Sequence, residues 1–223
     1  PNKPKDTFEG YLEGSAGDFG MWRAQAALNA PINDNFRVRI GIDRNKRNGY
    51  LKNAGRLGFG PNGDAGGSVD YTALRISTVL DVTPDIENYT IGAYSKSKST
   101  GVIPKINKCY NTVACDQMAR EAPLGFWSVS NPLPDSQSAT EQWQIINTTK
   151  WNVSDSLTIK NIFSYGEFRG TTNLDLFGQY QPLVTPGTET NGSQVRPFVF
   201  THAAPFLQTN AESSLVEELQ FQG

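Results

Sequence analysis

The stretch QWQIINTTKWNVSDSLTIKNIFSY, residues 142–165, decides how this chain is read. Trp143, Ile145, Trp151 and Val153 share one parity, and Gln142, Gln144, Thr148, Lys150 and Asn152 share the other. Successive side chains of an extended chain point to opposite faces. Two tryptophans therefore stand eight residues apart on one apolar face, with a polar face behind them. NVSDS (152–156) supplies the Asn, Ser and Asp of a tight turn. SLTIKNIFSY then returns as a second strand, with Leu157, Ile159, Asn161, Phe163 and Tyr165 against Thr158, Lys160 and Ser164.

The same period of two recurs along the chain. WRAQAALNAPI sets Trp22, Ala24, Ala26, Leu28 and Ala30 against Arg23, Gln25, Ala27 and Asn29. FRVRIGID sets Phe36, Val38, Ile40 and Ile42 against Arg37, Arg39 and Asp43. ALRISTVLDV sets Leu74, Ile76, Thr78, Leu80 and Val82 against Arg75, Ser77 and Asp81. NYTIGAYS sets Tyr89, Ile91 and Ala93 against Asn88, Thr90 and Tyr94. FEGYLEGSAG and SLVEELQFQG alternate more loosely at the two ends. The expectation is an all-β antiparallel up-and-down meander of about eight long strands, with no amphipathic helix.

The connections carry a second signal. PINDN (31–35), TPDIE (83–87) and NVSDS (152–156) are short. The links at about 44–69, 96–139 and 170–211 are long, and they alternate with the short ones; GDFG (17–20) is a tight turn where a long link is due. In a meander, alternate connections leave the same end of the sheet, so one end is trimmed and the other carries large loops. Structureless links of this length count against a compact soluble domain, whereas short periplasmic turns and long extracellular loops are the pattern of a transmembrane β-barrel. Eight residues at a rise of ~3.3 Å separate the tryptophans by about 26 Å along the strand. A tilt of ~35–45° leaves about 20 Å of height, near the apolar band of such a barrel. Trp and Tyr favour the two interfaces of that band. Trp22, Tyr89, Trp143, Trp151 and Tyr165 are the candidate interface aromatics, and Arg37, Arg39, Arg75, Lys150 and Lys160 face a lumen. A soluble barrel or sandwich with the apolar face inward would show the same periodicity.

Composition bounds the function. The 223 residues carry a net charge of −2 and a pI of about 5.5, which lacks the basic excess of a nucleic-acid binder. Aromatic residues make up 11% and the mean hydropathy is −0.46. PNKPKDTFEG lacks the basic start and apolar run of a secretory signal. Cys109 and Cys115, in CYNTVAC, read as a small disulfide-closed loop in an oxidising compartment, or as two free thiols in a reducing one.

Taken in order, PNKPKDTFEGYLEGSAGDFG, TPDIENYTIGAYS, INTTKWNVSDSLTIKNIFSYGEF and SLVEELQFQG resemble the N-terminal part of the barrel of TonB-dependent outer-membrane receptors. The family's plug domain ends in an NKP-like stretch, present here at 2–4. Its first barrel strand brings FEG and a glycine-rich turn, present at 8–10 and 17–20. The resemblance implies that residues 1–223 are a partial receptor barrel domain of a bacterial outer membrane, with plug and coupling segment missing. It implies energised uptake of a scarce ligand such as a ferric siderophore, coupling to TonB through the missing plug, and contact with lipid bilayer and lipopolysaccharide. A small self-contained outer-membrane barrel is the other membrane reading.

No catalytic constellation accompanies these strands. The single histidine, His202 in FTHAAPF, has no Gly-x-Ser-x-Gly elbow to join. GFGPNGDAGG (58–67) lacks the Gly-Lys-Ser/Thr of a phosphate loop. Neither a cofactor nor a metal is expected. KSKS (96–99) is a small basic patch suited to lipopolysaccharide phosphates or to plain solvation. The candidate ligand contacts are loop aromatics: Tyr110, Phe126 and Trp127 in the second long link, and Phe177 and Tyr180 in the third.

Overall fold

The computed structural model describes residues 2–53, 63–101, 104–110, 112–129, 136–173 and 210–223. In chain order the strands are β1 (Glu9–Gly17), β2 (Met21–Asn33), β3 (Phe36–Arg47), β4 (Leu51–Asn53), β5 (Gly63–Gly66), β6 (Val69–Thr83), β7 (Ile86–Ser99), β8 (Ser128–Val129), β9 (Gln137–Ser154), β10 (Leu157–Asn173) and β11 (Asn210–Gln222). A helix, α1 (Thr112–Glu121), and a 3-10 turn (Ala122–Leu124) precede β8. Eight long strands form one antiparallel sheet in the order β1-β2-β3-β6-β7-β9-β10-β11. β5, β4 and β8 form a second, small sheet.

The register lines up one apolar face across the large sheet. Ile40 pairs Ile76, Ile76 pairs Gly92, Gly92 pairs Ile145, Ile145 pairs Tyr165 and Tyr165 pairs Leu215. Their neighbours Gly41, Arg75, Ala93, Gln144, Gly166 and Ser214 form the matching row behind. The apolar face is the open, convex one: Leu12, Leu28, Ile40, Ile76 and Leu219 are among its exposed aliphatics. The other face encloses a cavity of about 680 Å³, lined by Asp43, Arg75, Gln142 and Phe168, and by Tyr11 of β1 and Glu212 of β11. The sheet therefore curls until its two outermost strands look into one space. Those two strands do not pair with each other, so each keeps a free edge.

All three short turns use one local device. Asn33 Oδ1 accepts from the Asn35 N–H at 3.0 Å, Thr83 Oγ1 from the Asp85 N–H at 3.3 Å, and Ser154 Oγ from the Ser156 N–H at 3.4 Å. A short side-chain oxygen that caps the N–H two residues on is what makes Asn, Thr and Ser turn formers. Beside each turn the register slips, skipping Ile32, Val82 and Val153. These bulges leave three β-branched aliphatics exposed at equivalent places on the turn end. The fourth turn is built differently. Met21 N–H donates to Asp18 O at 3.2 Å across Phe19 and Gly20, which have φ of 61° and 62°. Positive φ at both central positions makes a type I′ turn, and Phe19 takes a conformation that normally goes to Gly or Asn.

Three expectations need correction. First, the long links are not structureless: β4, β5, β8 and α1 lie within them. The large-sheet strands also run further into the links than alternation alone suggested, β10 for instance to Asn173. Second, α1 contradicts the expectation of no helix; it is a ten-residue segment in a loop, too short and polar for a clear 3.6-residue stripe. Third, β7 is inverted. Tyr89, Ile91 and Ala93 pair with Val79, Ser77 and Arg75, and so lie on the concave, charged face. Tyr89, expected on the apolar side, therefore does not stand on the convex face. Tyr94 does, beside Trp143, and Trp22, Trp151 and Tyr165 stand on that face too.

The inversion places Asn88 and Thr90 on the apolar face, opposite Thr149 and Asn147. Asn88 Nδ2 donates to Asn147 Oδ1 at 3.1 Å and Thr149 Oγ1 at 2.8 Å. Asn147 Nδ2 donates to Asn88 Oδ1 at 3.0 Å and Thr90 Oγ1 at 2.7 Å. Each amide thus spends both its hydrogens inside the group. Only mutual pairing of this kind makes polar side chains tolerable on an apolar surface.

Candidate ligand-capture cap and inner wall

At the loop end the first two long links are tied together. β4 pairs antiparallel with β5 of its own link and parallel with β8 of the second. Lys52 N–H donates to Trp127 O at 2.9 Å. Aromatic rings follow this backbone: Phe19 lies 6.0 Å from Tyr50, Tyr50 5.6 Å from Trp127, and Trp127 4.9 Å from Phe126. The last two pairs meet edge to face, the favoured geometry for π systems. The Arg47 guanidinium sits 5.5 Å from the Tyr50 ring and donates to Gly67 O at 2.7 Å. Gly67 has φ of +80°, and a Cβ there would fall 1.9 Å from the Tyr50 ring. Glycine is therefore required twice at this point, for the backbone sign and for ring contact. Lys105 Nζ holds the far end of the row through Gly125 O at 2.7 Å and Phe126 O at 3.2 Å.

The row is anchored inside and open outside. Tyr50 is half-buried, whereas Phe126 is 77% exposed and Trp127 58%. Exposed aromatic rings held by a rigid backbone make a preformed apolar contact surface. Of the expected loop contacts, Phe126 and Trp127 are brought together here. Tyr110 stands elsewhere, its exposed ring 5.2 Å from the Lys108 ammonium. It follows Cys109, which is joined to Cys115 by a disulfide at the start of α1. Phe177, Tyr180 and His202 lie outside the described residues. Sequence reasoning missed Phe19 and Tyr50. Both carried a signal: an aromatic inside the GDFG turn, and one directly after the polar run NKRNG.

Below the cap the concave wall is charged and internally paired. Arg23 Nη2 meets Asp43 Oδ2 at 2.6 Å, with Gln25 Nε2 donating to the same oxygen at 3.1 Å. Arg39 meets Glu9 at 3.4 Å, and Arg37 bridges Asp6 and Asp81. Arg75 lines the cavity beside Gln142 and Gln144. Such a wall suits water, not a dry core. On the convex rim among the aromatics stand Arg44, which lies over the Trp22 ring at 5.7 Å and pairs with Asp70, and Lys96, 3.6 Å from Glu141.

No family model matches the chain, and no curated protein matches it. Solved structures do share its fold. Against the ferric yersiniabactin uptake receptor FyuA of Yersinia pestis the TM-score is 0.60 at 16% identity, covering 77% of this chain and 25% of that one. Against the ferric-catecholate import receptor Fiu of E. coli K12 it is 0.56 at 13% identity, covering 77% and 23%. P. aeruginosa FpvA, in a complex with a heterologous pyoverdine and iron, gives 0.54 at 12% identity, covering 77% and 21%. The chain thus spans about a quarter of the length of these receptors, and its large sheet has the fold of part of their barrels.

Proposed function

We propose that residues 1–223 form one section of the barrel domain of a TonB-dependent outer-membrane receptor, together with part of its surface cap. The observation that carries this is the sidedness of the sheet. Its convex face is apolar and rimmed by aromatics at both ends, and its concave face carries paired charges and encloses a cavity. On this reading the convex face meets lipid, the three side-chain-capped turns face the periplasm, and β4, β5, β8 and α1 stand outside the cell. The free edges of β1 and β11 await further strands, since exposed long edges are otherwise a pairing liability; this favours a larger barrel over a small self-contained one.

The activity is uptake, not catalysis. The aromatic row captures a ligand, the charged wall conducts it inward, and energy arrives from TonB through a plug. A ferric siderophore is the ligand class proposed, because two of the fold neighbours named above are uptake or import receptors for ferric yersiniabactin and ferric catecholates, and the third binds a pyoverdine with iron. The basic rim at Arg44, Lys46, Lys96 and Lys98 suits lipopolysaccharide phosphates. The test is uptake of radiolabelled iron by cells expressing the full-length protein, offered one siderophore class at a time. Uptake by one class that falls at least tenfold in Trp127→Ala, with unchanged protein in the outer-membrane fraction, supports the reading. Absence of the protein from that fraction, or uptake indifferent to it with every class, overturns it.

A further inference from the structure

The segment Asn2–Phe8 belongs to no strand, yet it lies against the concave wall at the turn end. Its contacts come from four strands. Lys3 reaches β7, with Nζ 2.5 Å from Glu87 Oε2 and 5.5 Å from the Tyr89 ring centroid. Asp6 reaches Arg37 of β3 at 2.8 Å, and Arg37 in turn meets Asp81 of β6. Lys5 pairs with Glu9 at 3.0 Å. The remaining contact differs in kind. Asn29 of β2, 0% exposed, accepts the Lys5 N–H at 2.9 Å and donates to Lys5 O at 2.8 Å and Thr7 O at 2.5 Å.

These contacts are not equal. Lys3 and Lys5 are about half exposed and Asp6 is 76% exposed, so their ion pairs compete with water and salt. The Asn29 amide has left water entirely, and its hydrogens and oxygen are satisfied by the segment's backbone alone. A buried amide without partners is costly, so clamp and segment stabilise each other. An amide that reads both N–H and C=O of one residue, and the C=O two residues on, recognises backbone, whatever side chains it carries. Val79 and Ser77, 1% and 2% exposed, lie nearby on the same face.

We infer that the inner wall carries a peptide-binding site centred on Asn29, with Arg37, Glu87 and Tyr89 as its flanks, and that its ligand is peptide backbone, here the chain's own Lys3–Thr7, bent at Asp6 and Thr7. Asn29 is the positioning residue. It fixes residue 2, and any chain joined to it, on the concave face that bears the cavity, at the turn end against β2 and β3. The name lumen for that cavity rests on the proposed function; the clamp itself does not.

Hydrogen exchange of the peptide covering residues 2–8, followed by mass spectrometry on the full-length protein in detergent, tests this directly. Asn29→Leu should speed exchange at Lys5 by at least tenfold. Asn29→Asp keeps the acceptor for Lys5 N–H but opposes carboxylate to two carbonyls, and should fall between. Lys5→Ala and Thr7→Ala should leave Lys5 exchange within twofold, because neither side chain is read by Asn29. Band mobility on unheated gels reports in parallel whether each variant keeps its barrel. Unchanged exchange in Asn29→Leu with the barrel intact refutes the clamp. Loss of protection in Lys5→Ala or Thr7→Ala as large as in Asn29→Leu shows that side chains are read, and refutes backbone recognition. If Asn29→Leu loses its barrel, Asn29→Asp and the two alanine variants decide on the same terms. Failure of uptake with protection intact would sink the proposed function and leave the clamp standing.

Discussion

Placing an arginine at different depths on the convex face tests what that face meets. In β3 the convex side chains run Phe36, Val38, Ile40, Ile42, Arg44. Ile40 stands four residues from Phe36 and four from the native Arg44. At ~3.3 Å per residue and a tilt near 40°, that puts it roughly 10 Å from either rim. Ile40 is 49% exposed, so in water Ile40→Arg would change stability by less than about 0.5 kcal/mol. In a bilayer the same change should cost about 3 kcal/mol, Ile42→Arg nearer 1, and Gly41→Arg, on the concave face, close to zero. Gly41 has room for a side chain, its nearest neighbour being Ala26 O at 3.8 Å from a built Cβ. A difference of about 2 kcal/mol between positions 40 and 42 is a factor of roughly 30 in the folding equilibrium. Guanidinium titration of the full-length protein in phospholipid vesicles, read by tryptophan fluorescence, has the needed resolution. Equal costs at 40 and 41, or a greater cost at 42 than at 40, would show that the apolar face does not meet lipid and would remove the basis of the functional reading.

Other outcomes follow from single contacts. Asn147→Ala should destabilise by roughly 1–3 kcal/mol because it removes the acceptor of one Asn88 hydrogen and the donor to Asn88 Oδ1, while Asn88→Leu with Asn147→Leu should come close to neutral; the same titration measures the non-additivity. Gly67→Ala meets both a positive φ and the Tyr50 ring, so hydrogen exchange in β4 should rise while the large sheet stays protected. Cys109→Ser with Cys115→Ser removes a short covalent loop worth roughly 2 kcal/mol by chain entropy. Exchange should accelerate in α1 and not in β9, and a reductant should reproduce it on the parent protein. Trp127→Ala and Tyr50→Ala should show a coupling of about 1 kcal/mol in a double-mutant cycle on β4 protection, as an edge-to-face pair implies.

Sequence alone determined the sheet. Period-two alternation in six of its eight strands, three capped turns and the spacing from Trp143 to Trp151 are local properties, and backbone geometry converts them directly into strands, hairpins and an apolar face. The repeated pattern of an aliphatic, a short polar residue and a turn, seen in INDN, VTPD and VSDS, was equally legible, although its meaning as a bulge appears only in the register.

What the tertiary structure decided are matters of partnership. Tyr89, Ile91 and Ala93 look like the apolar side of β7 within their own strand. They are turned inward because Leu80 pairs with Asn88, and because Asn147 and Lys3, distant in sequence, satisfy what the turn exposes on each side. Phe19, Tyr50, Trp127 and Phe126 come from three separate connections. They become one surface only when Lys52 bonds to Trp127 across two loops. Alternation is blind to such contacts, because it records which side chains share a face of one strand, and a cap or a clamp is made where backbones remote in the chain meet.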